Sequence, residues 1–137
     1  MDNTAQFIKE LNDFKEDIDK EISATLKKTA ELAFDTLIGF SPVYTGSYVM
    51  SHRIGLNGPS SSPPSLHAGL SLGSNAKNTA RSRKSKLSKI DKNITSIHIT
   101  NDLYYAMNVE YGWATGHPGW FPFTNTENVM RTAMGVF

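Results

Sequence analysis

From Thr4 to Phe40 an apolar side chain recurs at every third or fourth position: Phe7, Leu11, Phe14, Ile18, Ile22, Leu26, Ala30, Ala33, Leu37 and Phe40. That spacing predicts one long amphipathic helix. The consecutive four-residue steps from Phe14 to Ala30 break any heptad, so the helix is expected to pack on a sheet and not in a coiled coil. Gly39 and Pro42 are the expected stop. At ~1.5 Å per residue such a helix measures ~55 Å, more than a domain of this size can cover. It must either kink or project one end toward a neighbour.

The remaining chain reads as a small α+β domain. After the turn at Pro42, residues Ser47 to Leu56 alternate as a strand, with Tyr48, Met50, Ile54 and Leu56 on one face and His52 interrupting it. Asn57 to Pro64 is too rich in proline and serine for regular structure. Leu66, Ala68, Leu70 and Leu72 then alternate within a second strand, Ser65 to Leu72, antiparallel to the first. Residues 73–93 are polar and basic, with only Ala76, Ala80, Leu87 and Ile90 to bury, and read as a solvated flexible loop. Removing Asn78 to Lys89 is accordingly expected to leave thermal melting nearly unchanged.

Ile94 to Thr100 is the clearest strand, with Thr95, Ile97 and Ile99 on one face. It runs into a short helix capped by Asn101 or Asp102, with Leu103, Ala106, Met107 and Glu110 on one side and Gly112 as its stop. Ala114 to Phe123 holds two prolines and two glycines, which exclude a helix. Its rings at Trp120, Phe121 and Phe123 need cover from the long helix or from a partner chain. Thr124 or Asn125 caps a last helix to Phe137, with Val129, Met130, Ala133 and Val136 or Phe137 inward. The expected fold is therefore one domain, residues 1–137: long N-terminal and C-terminal helices packed on a small, mainly antiparallel sheet of three to five strands, with a long basic loop.

Composition narrows the function classes. Cysteine is absent, which removes disulfide frameworks and thiolate metal sites. No secretory signal and no long apolar run appears, so a soluble, cytoplasmically made protein without a membrane partner is expected. The net charge of +1 hides an asymmetry. Residues 1–40 carry nine acids against five lysines, a net of −4, whereas residues 77–92 carry Lys77, Arg81, Arg83, Lys84, Lys86, Lys89 and Lys92 against Asp91 alone, a net of +6. Opposite charge at two places suits head-to-tail association as well as an anionic partner.

Catalytic patterns are missing: there is no phosphate-binding glycine loop, no His-Glu-x-x-His and no Gly-x-Ser-x-Gly. The four histidines (His52, His67, His98, His117) are scattered, and His52 reads as a hydrogen-bonded imidazole of the interior and not as a metal ligand. No enzyme activity, cofactor or metal is expected. Glu110 stands out because a helix C-terminus disfavours a negative charge. It should be held by a cation, such as Arg53 or Arg131, or by backbone N–H groups, and should fix the turn leading into Trp113 to Phe123. The basic run lacks the interleaved aromatics of a nucleic-acid stacking surface.

Two stretches resemble the neck and tail-completion family of tailed bacteriophages, the gene-product-ten-like proteins of lambdoid siphophages. The first is the turn that ends the long helix, Ser41-Pro42-Val43-Tyr44-Thr45-Gly46-Ser47-Tyr48, where the family has a Ser-Pro-Val-Asp-Thr-Gly-Arg-Leu-like sequence. The second is an Asn-x-x-Pro-Tyr-Ala-x-x-x-Glu-Tyr-Gly pattern after an isoleucine-rich strand, matched by Asn101, Tyr105, Ala106, Glu110, Tyr111 and Gly112, with Tyr104 where proline is commonest. A proline-containing segment and a closing helix follow in both. The resemblance implies a virion structural protein of the head-tail neck, present in the host cytoplasm during assembly. It would act in tail completion as a ring, often six-fold in relatives, bound to other neck, connector and tail proteins around a DNA channel. On that reading Pro42, Thr45, Gly46, Asn101, Tyr105, Glu110, Tyr111, Gly112, Trp113, Trp120 and Phe121 are interface or structural residues. The alternative is a DNA-binding protein using residues 77–92 on phosphates. A small hydrolase using Glu110 with His98 or His117 is the third reading.

Overall fold

A computed structural model describes residues 3–43, 46–65 and 75–135. The elements run α1 (Thr4–Phe40), α2 (Ser47–Met50), β1 (His52–Leu56), α3 (Asn75–Arg81), a 3₁₀ helix (Ser82–Lys89), β2 (Ile97–Asn101), α4 (Ala106–Tyr111) and α5 (Pro122–Ala133). The fold is α+β, with long N-terminal and C-terminal helices around a small antiparallel sheet.

Among the described residues the sheet has two strands, β1 and β2, paired antiparallel from His52↔Asn101 to Leu56↔Ile97. The three to five strands expected are not reached there, and the Leu66 to Leu72 part of the expected second strand lies outside the described residues. The first strand is also shorter than its alternation suggested. Gly46 at φ 80° starts a helical turn, so Ser47–Met50 forms α2 and extended backbone begins at His52. Burial of Tyr48, Val49 and Met50 in succession suits a turn of helix wedged into the interior better than a one-faced strand.

α1 is a single helix, and it stops two residues before Pro42. Ser41 is extended (φ −76°, ψ 130°), as a residue preceding proline must be, so the proline and not Gly39 sets the end. Only its C-terminal half is buried. Ala30, Phe34 and Ile38 pack against Val49, Met50 and Ile54, with Ala76, Ala80 and Leu87 completing the cluster. Residues 3–18 are exposed throughout. Of the two alternatives the length allowed, the helix projects.

The basic segment departs most from expectation. Residues 75–89 are helical, and Ala76, Ala80 and Leu87 are fully buried against α1 and α2. Two alanines at i and i+4 let α3 approach closely, while its cations, Lys77 and Arg81, reach along its flank to Gly39 O and Asp35 of α1. Asp35 of α1 receives Lys84 at 2.9 Å and Arg81 at 3.9 Å. The segment is thus a packed wall of the domain with a charged outer side.

α5 lies on α1. It begins two to three residues earlier than its candidate caps, because Pro122 occupies the first helical position, where its missing N–H costs nothing. Pro122 and Thr126 are the buried residues of α5, whereas Val129 and Ala133, expected inward, are exposed; Val136 and Phe137 lie outside the described residues.

Candidate functional site

His52 starts β1 in full burial, and its ring is held on both sides. Asn101 Nδ2 lies 3.2 Å from His52 Nδ1 and also donates to the Tyr48 carbonyl at 2.8 Å. An amide N–H pointing at Nδ1 makes that nitrogen the acceptor, so Nε2 carries the proton and donates to Ser41 Oγ at 2.8 Å. Ser41 Oγ in turn donates to Leu37 O at 2.7 Å. The chain of donors is consistent only with neutral imidazole. Burial, with a smaller contribution from Arg83, lowers the His52 pKa to about 3. Tyr48 and Phe123 close on the ring edge-to-face, with centroids at 4.9 and 5.6 Å. One side chain therefore joins the end of α1, α2, the end of β2 and the start of α5.

Asn101 does not cap α4 directly. Its Oδ1 accepts the Leu103 N–H at 3.1 Å, turning the chain out of β2, and α4 proper begins at Ala106. Leu103 and Val109 pack on Tyr48 beside Tyr105, Ala106 and Trp113, while Met107, expected inward, is exposed. Gly112 ends α4 at φ 106°. A Cβ there would stand 2.8 Å from the His117 carbonyl oxygen, so the position demands glycine for both its backbone and its space.

Glu110 is 5% exposed. Its carboxylate accepts the Phe123 N–H at 2.9 Å, the Thr124 N–H at 2.9 Å and the Thr124 hydroxyl at 2.6 Å. These are the free N–H groups at the start of α5, so a carboxylate ill placed at the end of one helix is well placed at the beginning of another. The backbone reinforces the link, with Trp120 N–H on Val109 O at 2.7 Å and Phe121 N–H on Glu110 O at 3.2 Å. Phe121 is held at φ 52°, ψ 43°, a conformation that costs a phenylalanine ~1 kcal/mol or more. Neither Arg53 nor Arg131 reaches Glu110. Arg53 binds carbonyls of its own loop and Arg131 pairs with Glu127.

Gly119, not singled out by sequence, completes this brace. A Cβ at Gly119 would meet Glu110 O at 2.3 Å and Tyr111 C at 2.6 Å, so the return segment can touch α4 only through glycine. Its place after Pro118 was the available signal.

Pro42 and Gly46 from the first motif meet Tyr105, Trp113 and Trp120 around an apolar notch of about 100 Å³, with Tyr48 and Val109 completing its lining. The two motifs, sixty residues apart, thus form one site. The Tyr48 hydroxyl is buried with no hydrogen-bond partner, and burial together with the charge of Glu110 raises its pKa. Tyr111 and Phe121 lie outside the notch as an exposed edge-to-face pair, 6.4 Å apart. Thr45 lies outside the described residues.

Comparison of the chain with protein-family models, with curated proteins and with solved structures finds no match to any of them.

The basic residues are divided in use. Lys77 donates to Gly39 O at 3.0 Å, Arg83 reaches Ser65 Oγ at 3.3 Å, and Arg81 and Lys84 are drawn to Asp35. Lys86 lines a groove with Arg53 and Arg83, Lys89 is exposed, and Lys92 lies beside Glu16 and Asp19 of α1. Among the described residues no group of His, Asp or Glu could hold a metal ion, and no helix is long and apolar enough to cross a membrane. His98 and His117 are engaged elsewhere, with Ser96 Oγ at 3.2 Å and Pro118 O at 2.9 Å, and neither is among the partners of the Glu110 carboxylate.

Proposed function

We propose that this chain is a structural subunit of the bacteriophage neck, assembling as a homo-oligomeric ring that completes the tail and joins it to the head. The observation that carries the reading is the amount of apolar surface the domain leaves unused. The first half of α1, the outer face of α4 and the segment around Trp120 and Phe121 are all exposed, on a chain whose polar chemistry goes into bracing. Such surfaces belong to a subunit that is finished by its neighbours. The turn and helix motifs that resemble the neck family support the same reading, because the residues they share form the brace and the notch. Its partners would be further copies, the adjoining connector and tail proteins, and DNA passing through the channel.

The test is genetic. Removing the coding sequence from the phage that carries it should leave filled heads and finished tails unjoined, and supplying the chain in trans should restore joined particles. Normal particles without it would refute the proposal. The DNA-binding alternative has a separate signature. With Lys77, Arg81, Arg83 and Lys84 partly satisfied within the domain, Lys86, Lys89 and Lys92 are the cations best placed for phosphates. Binding through three contacts would give a salt slope of about −3 in log affinity against log salt.

A further inference from the structure

The cations between residues 77 and 92 do not act as one surface. Arg81 and Lys84 share Asp35, Lys77 is tied to Gly39 O, and Lys92 lies beside Glu16 and Asp19. Arg83 and Lys86, on the 3₁₀ helix, instead line an open groove with Arg53 of β1, closed on its far side by Ser60 and Ser62 to Ser65 of the loop that follows β1. Arg53, Arg83 and Lys86 are all half-buried. The ion pairs of the described residues join Arg81 and Lys84 to Asp35 and Arg131 to Glu127, and none reaches this trio. Residues 66–74, next in the chain after Ser65, hold no Asp or Glu.

Two guanidinium groups meet on one hydroxyl there. Arg53 Nη2 donates to Ser65 Oγ at 3.0 Å, and Arg83 Nη2 donates to the same oxygen at 3.3 Å. Like charges so placed repel, and burial, which lowers the Arg83 pKa, removes part of the water that would screen them. Their hydrogen bonds bring in no counter-charge, because every acceptor is neutral. Arg53 also donates to Met50 O at 2.6 Å, His52 O at 3.2 Å and Pro63 O at 2.6 Å. It thus uses four of its five N–H groups to fix the loop, whereas Arg83 uses one and keeps the rest as donors. A bound anion would supply the counter-charge that this side of the domain lacks.

The lining narrows the kind of anion. The groove measures about 540 Å³, within the ~300–1,000 Å³ of ligand sites, but its walls are cations and serine hydroxyls, with no aromatic ring on which a base could stack. Guanidinium and ammonium groups beside hydroxyl donors match the oxygens of a phosphate. Pro63 and Pro64 stiffen one wall and Arg53 ties it to β1, so the site is formed before anything binds and little ordering opposes binding. We infer that the groove between β1 and the 3₁₀ helix binds a phosphate group, free or within a polynucleotide backbone, with Arg83 and Lys86 as its contacts and Arg53 positioning the loop wall while adding charge. This goes beyond the neck reading and does not depend on assembly as a ring.

Lys86→Glu reverses one charge inside the groove, and Lys9→Glu makes the same change in net charge near the exposed start of α1. The full-length parent and both variants are titrated at low salt with inorganic phosphate, followed by amide chemical shifts, and with a short fluorescent DNA duplex, followed by anisotropy. Lys86→Glu should weaken binding by about tenfold or more and Lys9→Glu by less than about threefold, while Lys86→Arg should keep it. Melting should not fall in Lys86→Glu, since a carboxylate beside Arg53 and Arg83 supplies the missing counter-charge; Arg83→Gln, which removes a charge and adds none, should weaken binding in the same way. A duplex bound roughly a hundredfold more tightly than inorganic phosphate identifies the polynucleotide backbone as the source of the phosphate, and comparable affinities identify the free ion. Equal losses in Lys86→Glu and Lys9→Glu would show general charge attraction and overturn the site, as would the absence of binding to both probes.

Discussion

Glu110 and His52 hold the site by opposite electrostatic means. Glu110 is a charge kept in the interior because three donors at the start of α5 surround it. Glu110→Gln keeps the shape but turns an amide N–H toward the donors at Phe123 or Thr124, and should cost ~1–3 kcal/mol. At ~4 °C per kcal/mol for a domain of this size, melting should fall by ~4–12 °C, read by circular dichroism. The brace is internal, so the charge acts on folding as well as on any interface that the following aromatics make. An unchanged melting temperature would show that the carboxylate does not cap α5. His52 is instead kept neutral. Its folded pKa of about 3 lies below the ~6.5 of an unfolded histidine, so between those values the unfolded chain binds the extra proton. The contribution is complete above pH ~6.5 and is lost as pH falls toward the folded value, amounting to ~2 kcal/mol at pH 5. Urea unfolding at pH 7.5 and pH 5 measures it. His52→Phe should be less stable at neutral pH but should lose that part of the pH dependence.

At the scale of elements, the basic segment is where packing overrules composition. Leu87 is fully buried among Ala76, Ala80 and α1, so Leu87→Ala should cost ~2–5 kcal/mol. Deleting Asn78 to Lys89 should unfold the domain and not leave it unchanged; a melting curve within ~2 °C of the parent would return the segment to a solvated loop. α1 was legible because its period is sustained over ten apolar positions, and β2 because Ile97 and Ile99 alternate cleanly. α3 was not, because an average over a segment with seven cations conceals that two alanines four apart suffice to seat a helix. α2 was missed for a related reason: alternation across four residues cannot distinguish a strand from one helical turn buried on all sides, and the deciding signal was the left-handed Gly46. In the site, Pro42, Gly46, Tyr105, Trp113 and Trp120 were identified individually, but their convergence with Tyr48 is a tertiary fact. Gly119 is informative in the same way. Gly119→Ala drives a Cβ into the backbone of α4 and should separate the aromatic return from its support, with loss of stability measurable by denaturant.

For the whole molecule, the two ends of α1 differ: residues from Ala30 onward build the core, whereas residues 3–18 are exposed, with Glu16 and Asp19 flanking a groove beside Lys92 and Asn93. Truncating residues 1–18 should therefore leave the melting of the domain within ~3 °C of the parent, since the removed residues are exposed from residue 3 onward, while abolishing self-association. On the function proposed, this chain is completed by copies of itself. The most direct measurement is the mass of the purified full-length chain across a dilution series, by sedimentation velocity with electron microscopy of the same samples. A closed species of defined copy number with a central channel, dissociating to monomer on Phe14→Glu, is the predicted result. A monodisperse monomer at high micromolar concentration, with the apolar stripe still exposed, would contradict it.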